Sequence, residues 1–388
     1  GFIGGIGLGI GYISPVSTLM KWFPDRPGLA TGLAIMGFGG GALIASPASN
    51  RLMEAFGGGA ELADRAAGLE PTFITLALVY AAVIAMGAYV IRLPHPDWTP
   101  TGAPRVGKKP AKVAIVGANV SANNAIRTPQ FWLLWVILFC NITAGIGILE
   151  NAAPMVQDYF PALSAAAAAG FVGLLSLANM GGRFIWSSAS DVIGRKNIYM
   201  VYLGAGLAFY FVLAVYGHTS LALFVGCALV LLSFYGGGFA SIPAYLRDLF
   251  GVYQVGAIHG RLLTAWSAAG VAGPLIINTV VERQASRGNS GPELYQLSLY
   301  VMCVLLAMGL ISNVLVRPVA QRWFEDPDKV AAKVESDRAA VLGAQQESGG
   351  KTGAAHAPVA GVLAVVIAAL LVYGLWETAV KASQMFAG

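Results

Sequence analysis

The chain has 388 residues, of which 56% are hydrophobic and 11% charged, and its formal net charge is +5. Soluble domains carry about 25% charged residues, so this chain lacks the charge to cover a soluble core of its own size. Its three cysteines sit in apolar runs without CxxC spacing and its histidines are not clustered, which argues against a disulfide framework and a metal site.

About 20 apolar residues cross a bilayer. On that length the sequence predicts ten membrane spans, at 1–20, 28–50, 72–92, 130–153, 164–188, 198–217, 220–245, 257–281, 295–316 and 359–379. The fold class expected is therefore an all-α polytopic membrane protein, with the lipid bilayer as its solvent. No signal peptide is visible, and residue 1 is a glycine already inside an apolar run.

In the first span, Gly1, Gly5 and Gly9 recur at spacing four. Such a ridge lets another backbone approach closely and makes a helix easy to bend. The stretch "KWFPDRPGLATGL" then places Lys21, Asp25 and Arg26 between two uncharged runs. Alternate loops are basic as well: Arg105, Lys108, Lys109, Lys112 and Arg127 after the third span, then Arg195 and Lys196, then Arg247. The loops around 154–163 and 218–219 carry no Lys or Arg, while Arg283 and Arg287 run against the pattern. By the positive-inside rule the basic loops, including the linker 94–128, are expected on the cytoplasmic side of a cell membrane. The positive charge thus reads as topology and not as nucleic-acid binding.

The chain also repeats. At an offset of 228, Pro15 meets Pro243, Gly9 meets Gly237, Gly28 meets Gly256, Gly32 meets Gly260 and Trp22 meets Phe250. Spans one and two would then correspond to spans seven and eight, a period of six helices. Two parallel six-helix halves joined by a cytoplasmic linker are the plan of major facilitator transporters. On that plan residues 1–93 are a partial N-terminal half (helices four to six), with about three helices absent. Residues 94–128 are the linker, 129–316 the C-terminal half, 317–357 a polar cytoplasmic tail and 358–388 an extra span.

"SDVIGRK", Ser190 to Lys196, is the sharpest local motif. Asp191 can accept from a basic residue across a helix interface, Gly194 permits a tight turn, and Arg195 supplies charge. That makes a gating latch; the plain alternative is a basic loop obeying topology. The motif resembles the major facilitator loop pattern in which an acid, a glycine and basic residues follow a helix end. That pattern usually begins with glycine, and Ser187 stands there here, which bears on how closely helices pack.

"GYISPVSTLMKWFPDRPGLATGLAIMGFGGG" (residues 11–41), "RTPQFWLLW" (127–135), "NMGGRFIW" (179–186) and "SDVIGRK" together resemble the oxalate–formate antiporter family of the major facilitator superfamily. The resemblance covers most of 1–316. It implies a carrier without cofactor or catalytic residues, exchanging a small organic anion against a counter-anion or moving it with a proton.

Arg183 lies within span 164–188. An arginine at membrane depth usually faces a cavity, and its fork grips a carboxylate; the alternative is snorkelling to the nearer, basic end. The resemblance implies that Arg183 holds the substrate carboxylate. It also implies that Tyr12, Phe38 and Tyr235, with Phe239 one turn on, line the pocket, although each could simply pack or face lipid. Where the oxalate carrier has a second cation this chain has Trp266, which could line the pocket or merely pack, and the difference implies a monocarboxylate such as formate, lactate or pyruvate. Glu150 is a candidate proton carrier or an interfacial acid near the outer end of its span. His259, at a cytoplasmic helix end, reads as structural. A transporter-like receptor signalling through its tail and extra helix is the rival function; a membrane enzyme would need a nucleophile–base pair or metal cluster, and no such set stands out in the spans.

Overall fold

The protein is described by a computed structural model covering residues 2–57, 59, 66–94, 119–347 and 357–385. Most of the predicted linker, including Arg105, Lys108, Lys109 and Lys112, lies outside the described residues, as does Gly1.

Each predicted span is a helix. In chain order they are α1 (Phe2–Trp22), α2 (Pro27–Gly57), α3 (Leu69–Val90), the short α4 (Ala122–Ala125), α5 (Pro129–Tyr159), α6 (Ala165–Ile193), α7 (Arg195–Tyr216), α8 (Leu221–Phe250), α9 (Val255–Leu262), α10 (Thr264–Ser286), α11 (Glu293–Leu315), α12 (Pro327–Glu347) and α13 (Ala357–Ser383). Ten spans among the described residues are long and apolar enough to cross a membrane, with α9 and α10 counting as one. Helices satisfy their own backbone hydrogen bonds, which a bilayer cannot do for them. Their ends are marked by local chemistry. Thr128 caps α5 by accepting from Phe131 N (3.3 Å), with Pro129 at the first helical position, and Ser164 caps α6 by accepting from Ala167 N (3.2 Å).

The span predicted at 257–281 is broken. Thr264 Oγ1 donates back to Arg261 O (2.9 Å) and accepts from Trp135 Nε1 of α5 (2.9 Å). A threonine that bonds its own preceding turn competes with the helix ladder, and the helix interrupts at Leu263.

The repeat extends to helix bounds. α1 ends at Trp22 and α8 at Phe250 (250 − 22 = 228), while α2 begins at Pro27 and α9 at Val255 (255 − 27 = 228).

α6 packs against α8 and α2; α5, α7, α10 and α11 close the bundle around them. The glycine ridge expected on α1 does not perform the close approach. Residues 2–11 are exposed, and a Cβ added at Gly5 or Gly9 would meet no atom within 4 Å. The close approach occurs on α2 instead. A Cβ at Gly32 would stand 2.7 Å from Arg183 O of α6, and one at Gly28 would stand 3.0 Å from Asp191 Cγ. Ser187, fully buried on α6, is accommodated because its partner Gly32 has no side chain.

α13 lies against α2, α3 and α6. Arg51 of α2 pairs with Glu377 (2.5 Å) and stacks over Tyr373, its Cζ 4.8 Å from the ring centre. Residues 119–122 are stitched to the α8–α9 turn: Val120 N donates to Phe250 O (2.9 Å) and Ala122 N to Gln254 Oε1 (2.7 Å). Beside that turn is a cavity of about 300 Å³, lined in part by Lys21, Arg247, Tyr253 and Asp337 of α12.

Candidate functional site

Arg183 stands on α6 ten residues before its end at Ile193, about 15 Å along the axis at 1.5 Å per residue. It is 1% exposed. Its Nε donates to Asn179 Oδ1 one turn back (3.0 Å), and Nη1 makes a long contact with Ile35 O of α2 (3.4 Å). The side chain therefore points back into the bundle, as helical side chains lean, and does not snorkel to the basic end. Gly39 of α2 leaves room for it, since a Cβ there would stand 2.9 Å from Nε. Among the described residues no carboxylate pairs with Arg183.

Aromatic faces replace that carboxylate. The Arg183 Cζ lies 5.0 Å from the Phe239 ring centre and 5.4 Å from that of Phe38, within range of a cation–π attraction. Phe38 and Phe239 both meet Trp266, at 5.7 and 5.4 Å, and both meet Tyr12, at 6.4 and 5.5 Å. One cation on α6 is thus caged by rings from α1, α2, α8 and α10. These five sequence-predicted residues come together from positions up to 254 residues apart (266 − 12 = 254).

Tyr235 adds an electrostatic contact to Arg183, whereas Glu150 makes no ring contact with the cage. Tyr235, one turn before Phe239, is buried with its ring against Gly145 of α5. Glu150, nine residues before the end of α5 at Tyr159, is exposed.

His259, which the sequence reads as structural, lies beside the cage. It is 1% exposed, and its ring centre is 5.8 Å from that of Tyr12. Its Nε2 and the Tyr12 Oη are both buried without a hydrogen-bond partner. Buried polar atoms are nearly always satisfied, and these two on neighbouring rings are not. Asn179, which fixes the Arg183 guanidinium, was not anticipated.

The 190–196 motif ties the end of α6 to the start of α2 and of α7. Asp191, in the last turn of α6, pairs with Arg195 at the start of α7. Across the interface it accepts from two backbone groups at the start of α2, Gly28 N (3.1 Å) and Leu29 N (3.0 Å). A carboxylate at a helix N-terminus satisfies orphan donors and meets the positive end of the dipole. Arg195, 7% exposed, also donates to Ser190 Oγ and to Asp248 Oδ2 (3.3 Å). Gly194 adopts φ +92°, the left-handed conformation that lets α6 turn directly into α7. Arg247 Nη2 adds a bond to Pro24 O (2.8 Å) in the α1–α2 loop.

Membrane-length helices define a polytopic membrane protein, and inside its bundle lies a cation caged by rings and unpaired by any carboxylate among the described residues. A family model described as Major Facilitator Superfamily matches residues 1–274, and the chain belongs to that superfamily. It is 29% identical over 276 residues to an oxalate:formate antiporter of Oxalobacter formigenes, covering 70% of this chain and 59% of that protein. An uncharacterised MFS-type transporter of Escherichia coli, YhjX, is 25% identical over 260 residues, covering 67% of this chain and 59% of YhjX. Apicoplast pyruvate carrier 1 of Toxoplasma gondii is 24% identical over 334 residues, covering 75% and 60%. The chain thus spans about three-fifths of the length of these curated relatives. Among solved structures the E. coli fucose:proton symporter FucP shares the fold, with a TM-score of 0.56 at 12% identity over 79% of this chain and 72% of that one.

Proposed function

We propose that this chain holds the substrate in a secondary transporter for a small organic anion, a monocarboxylate such as formate, lactate or pyruvate. One observation carries the reading: Arg183 is fully buried, lacks a carboxylate partner among the described residues, and is roofed by Phe38, Phe239 and Tyr12, with Trp266 behind them. Removing the partner of a buried charge costs about 3–5 kcal/mol, and a substrate carboxylate supplies that partner. The guanidinium fork orients it, and the rings exclude water and accept a small apolar remainder. Two relatives carry names consistent with this chemistry, an oxalate:formate antiporter and a pyruvate carrier.

Charge matching selects one carboxylate over two. In α10 no Lys or Arg precedes Arg283, and the nearby Arg261 is engaged with Ala122 O and with Asn123 Oδ1 (2.8 Å). A second carboxylate would enter the cage unpaired, which costs several kcal/mol.

Substrate passes by alternating access. The basic end, which the positive-inside rule assigns to the cytoplasm, is held shut by Asp191, Arg195 and the start of α2. The latch opens as the substrate-loaded halves rock, and a counter-anion or proton moves with the cycle. The test is a competition series in proteoliposomes, on the protein with both six-helix halves complete, with formate, lactate, pyruvate, oxalate and malonate. Strong competition by the monocarboxylates is expected. Preference for oxalate would mean that another group provides a second positive charge.

A further inference from the structure

His259 has no role in the transport reading given so far, yet it is among the most buried polar residues of the protein. Its Nε2 lacks a partner, and its neighbour Tyr12 has an equally orphaned hydroxyl. Tyr12 also touches the ring of Phe239, whose face covers the Arg183 guanidinium. The line Arg183–Phe239–Tyr12–His259 therefore joins a fixed cation to a titratable base through contiguous rings.

The elements packed against α9 are α1, α4, α5, α8 and α10. From α1, Tyr12 faces His259, while Lys21 lines the cavity at the basic end. On α8, Arg247 bonds Pro24, Asp248 bonds Arg195, Tyr245 donates to Asn313 (3.3 Å) and Tyr235 packs on Gly145. Cys227 lies near the start of α8, and Cys140 of α5 lies against Gly309 of α11. The acids of α5 (Glu150, Asp158) and the charges of α10 (Glu282, Arg283) lie toward the opposite ends of those helices, and α4 carries none. On α9 itself Arg261 turns to Ala122. Among the described residues no acid meets the imidazole, so its charge is set by the dryness of the site and by whatever anion occupies it.

We propose that His259 is the proton-binding residue of the cage: it takes up one proton from solvent as a carboxylate anion settles on Arg183, and returns it when the anion leaves. The anion's negative charge and the proton cancel, so the loaded and empty sites differ by no net charge. This rests on the anion-binding reading above and adds the proton to it.

The test is calorimetric titration of the purified full chain with pyruvate, in buffers of low and high ionisation enthalpy. It is run between about pH 5 and 8, where imidazoles titrate and pyruvate stays ionised. The expected result is about one proton taken up per anion bound, with Kd rising about tenfold per pH unit where uptake is complete. His259→Asn and His259→Gln should bind pyruvate with no proton uptake and a flat Kd. Binding by the unmodified chain without proton uptake would overturn the proposal and leave the anion site standing, whatever the variants do. Uptake that persists in a folded His259 variant would overturn it equally. Failure of the unmodified chain to bind any monocarboxylate at any pH would remove the anion site, and this inference with it.

Discussion

Arg183 is held by Asn179 on one side and by ring faces on the others, so its charge is positioned before a ligand arrives. Arg183→Gln should leave the protein folded, because the shorter amide retains a donor toward Asn179, and should abolish uptake. Arg183→Lys should restore little, because a single ammonium replaces the planar fork. Both are checked by uptake into proteoliposomes beside a measure of folded yield. Trp266→Lys places a second cation against Phe38 and Phe239. It should move preference toward oxalate and malonate in a competition assay, with a loss of stability from burying a charge. Glu150 is exposed and outside the cage, so Glu150→Gln should leave pH-driven accumulation unchanged; loss of that response would give the proton role to Glu150. The cation, its cage rings and the charge difference at Trp266 were legible in the sequence by resemblance. His259 was not. Its burial depends on α1 meeting α9, a contact between residues 247 positions apart (259 − 12 = 247). A faint signal existed: the 228 offset sets His259 against Thr31, a buried threonine satisfied by Pro27 O and Gly28 O. A titratable ring at the counterpart of a satisfied hydroxyl marks a site with something else to do.

At the scale of helices, the spacing of apolar runs was sufficient to find every span, because bilayer thickness fixes their length. It was not sufficient to find the break at Leu263, which depends on one threonine bonding backward and on Trp135 reaching it from another helix. Nor did it locate the close approach. Spacing-four glycines on α1 looked the stronger ridge, whereas Gly28 and Gly32 on α2 meet α6. Sequence shows which faces are smooth but not which neighbour meets them. Gly32→Val would drive a side chain against Arg183 O and Ser187. It should lower stability by about 1–3 kcal/mol as an overpacked contact, seen as earlier thermal unfolding in detergent, with weaker anion binding because Arg183 shifts. Asp191→Asn keeps the shape of the latch but loses its charge. It should cost about 1 kcal/mol at the start of α2, leave Arg195 without its buried partner, and increase labelling of a cysteine placed at the basic end. Unchanged labelling would reduce "SDVIGRK" to a topological signal.

For the whole molecule, the cage lies where α1 and α2 meet α6, α8, α9 and α10, so its walls come from both sides of the 95–118 segment. The matching helix bounds at offset 228 put Pro15 and Pro243 on equivalent helices, which fits two related halves sharing one site. α13 joins the same assembly through Arg51, Glu377 and Tyr373. The account depends most on the claim that Arg183 binds the carboxylate of a small monoanion. The most direct test is equilibrium binding of pyruvate and formate to the purified chain and to its Arg183→Gln variant, with folding of both verified by thermal unfolding. Loss of a charge-assisted pair predicts weakening of about 30-fold or more, with oxalate bound less tightly than pyruvate by the unmodified chain. Affinities of the folded variant within about threefold of the unmodified chain, a difference under 1 kcal/mol, would contradict it.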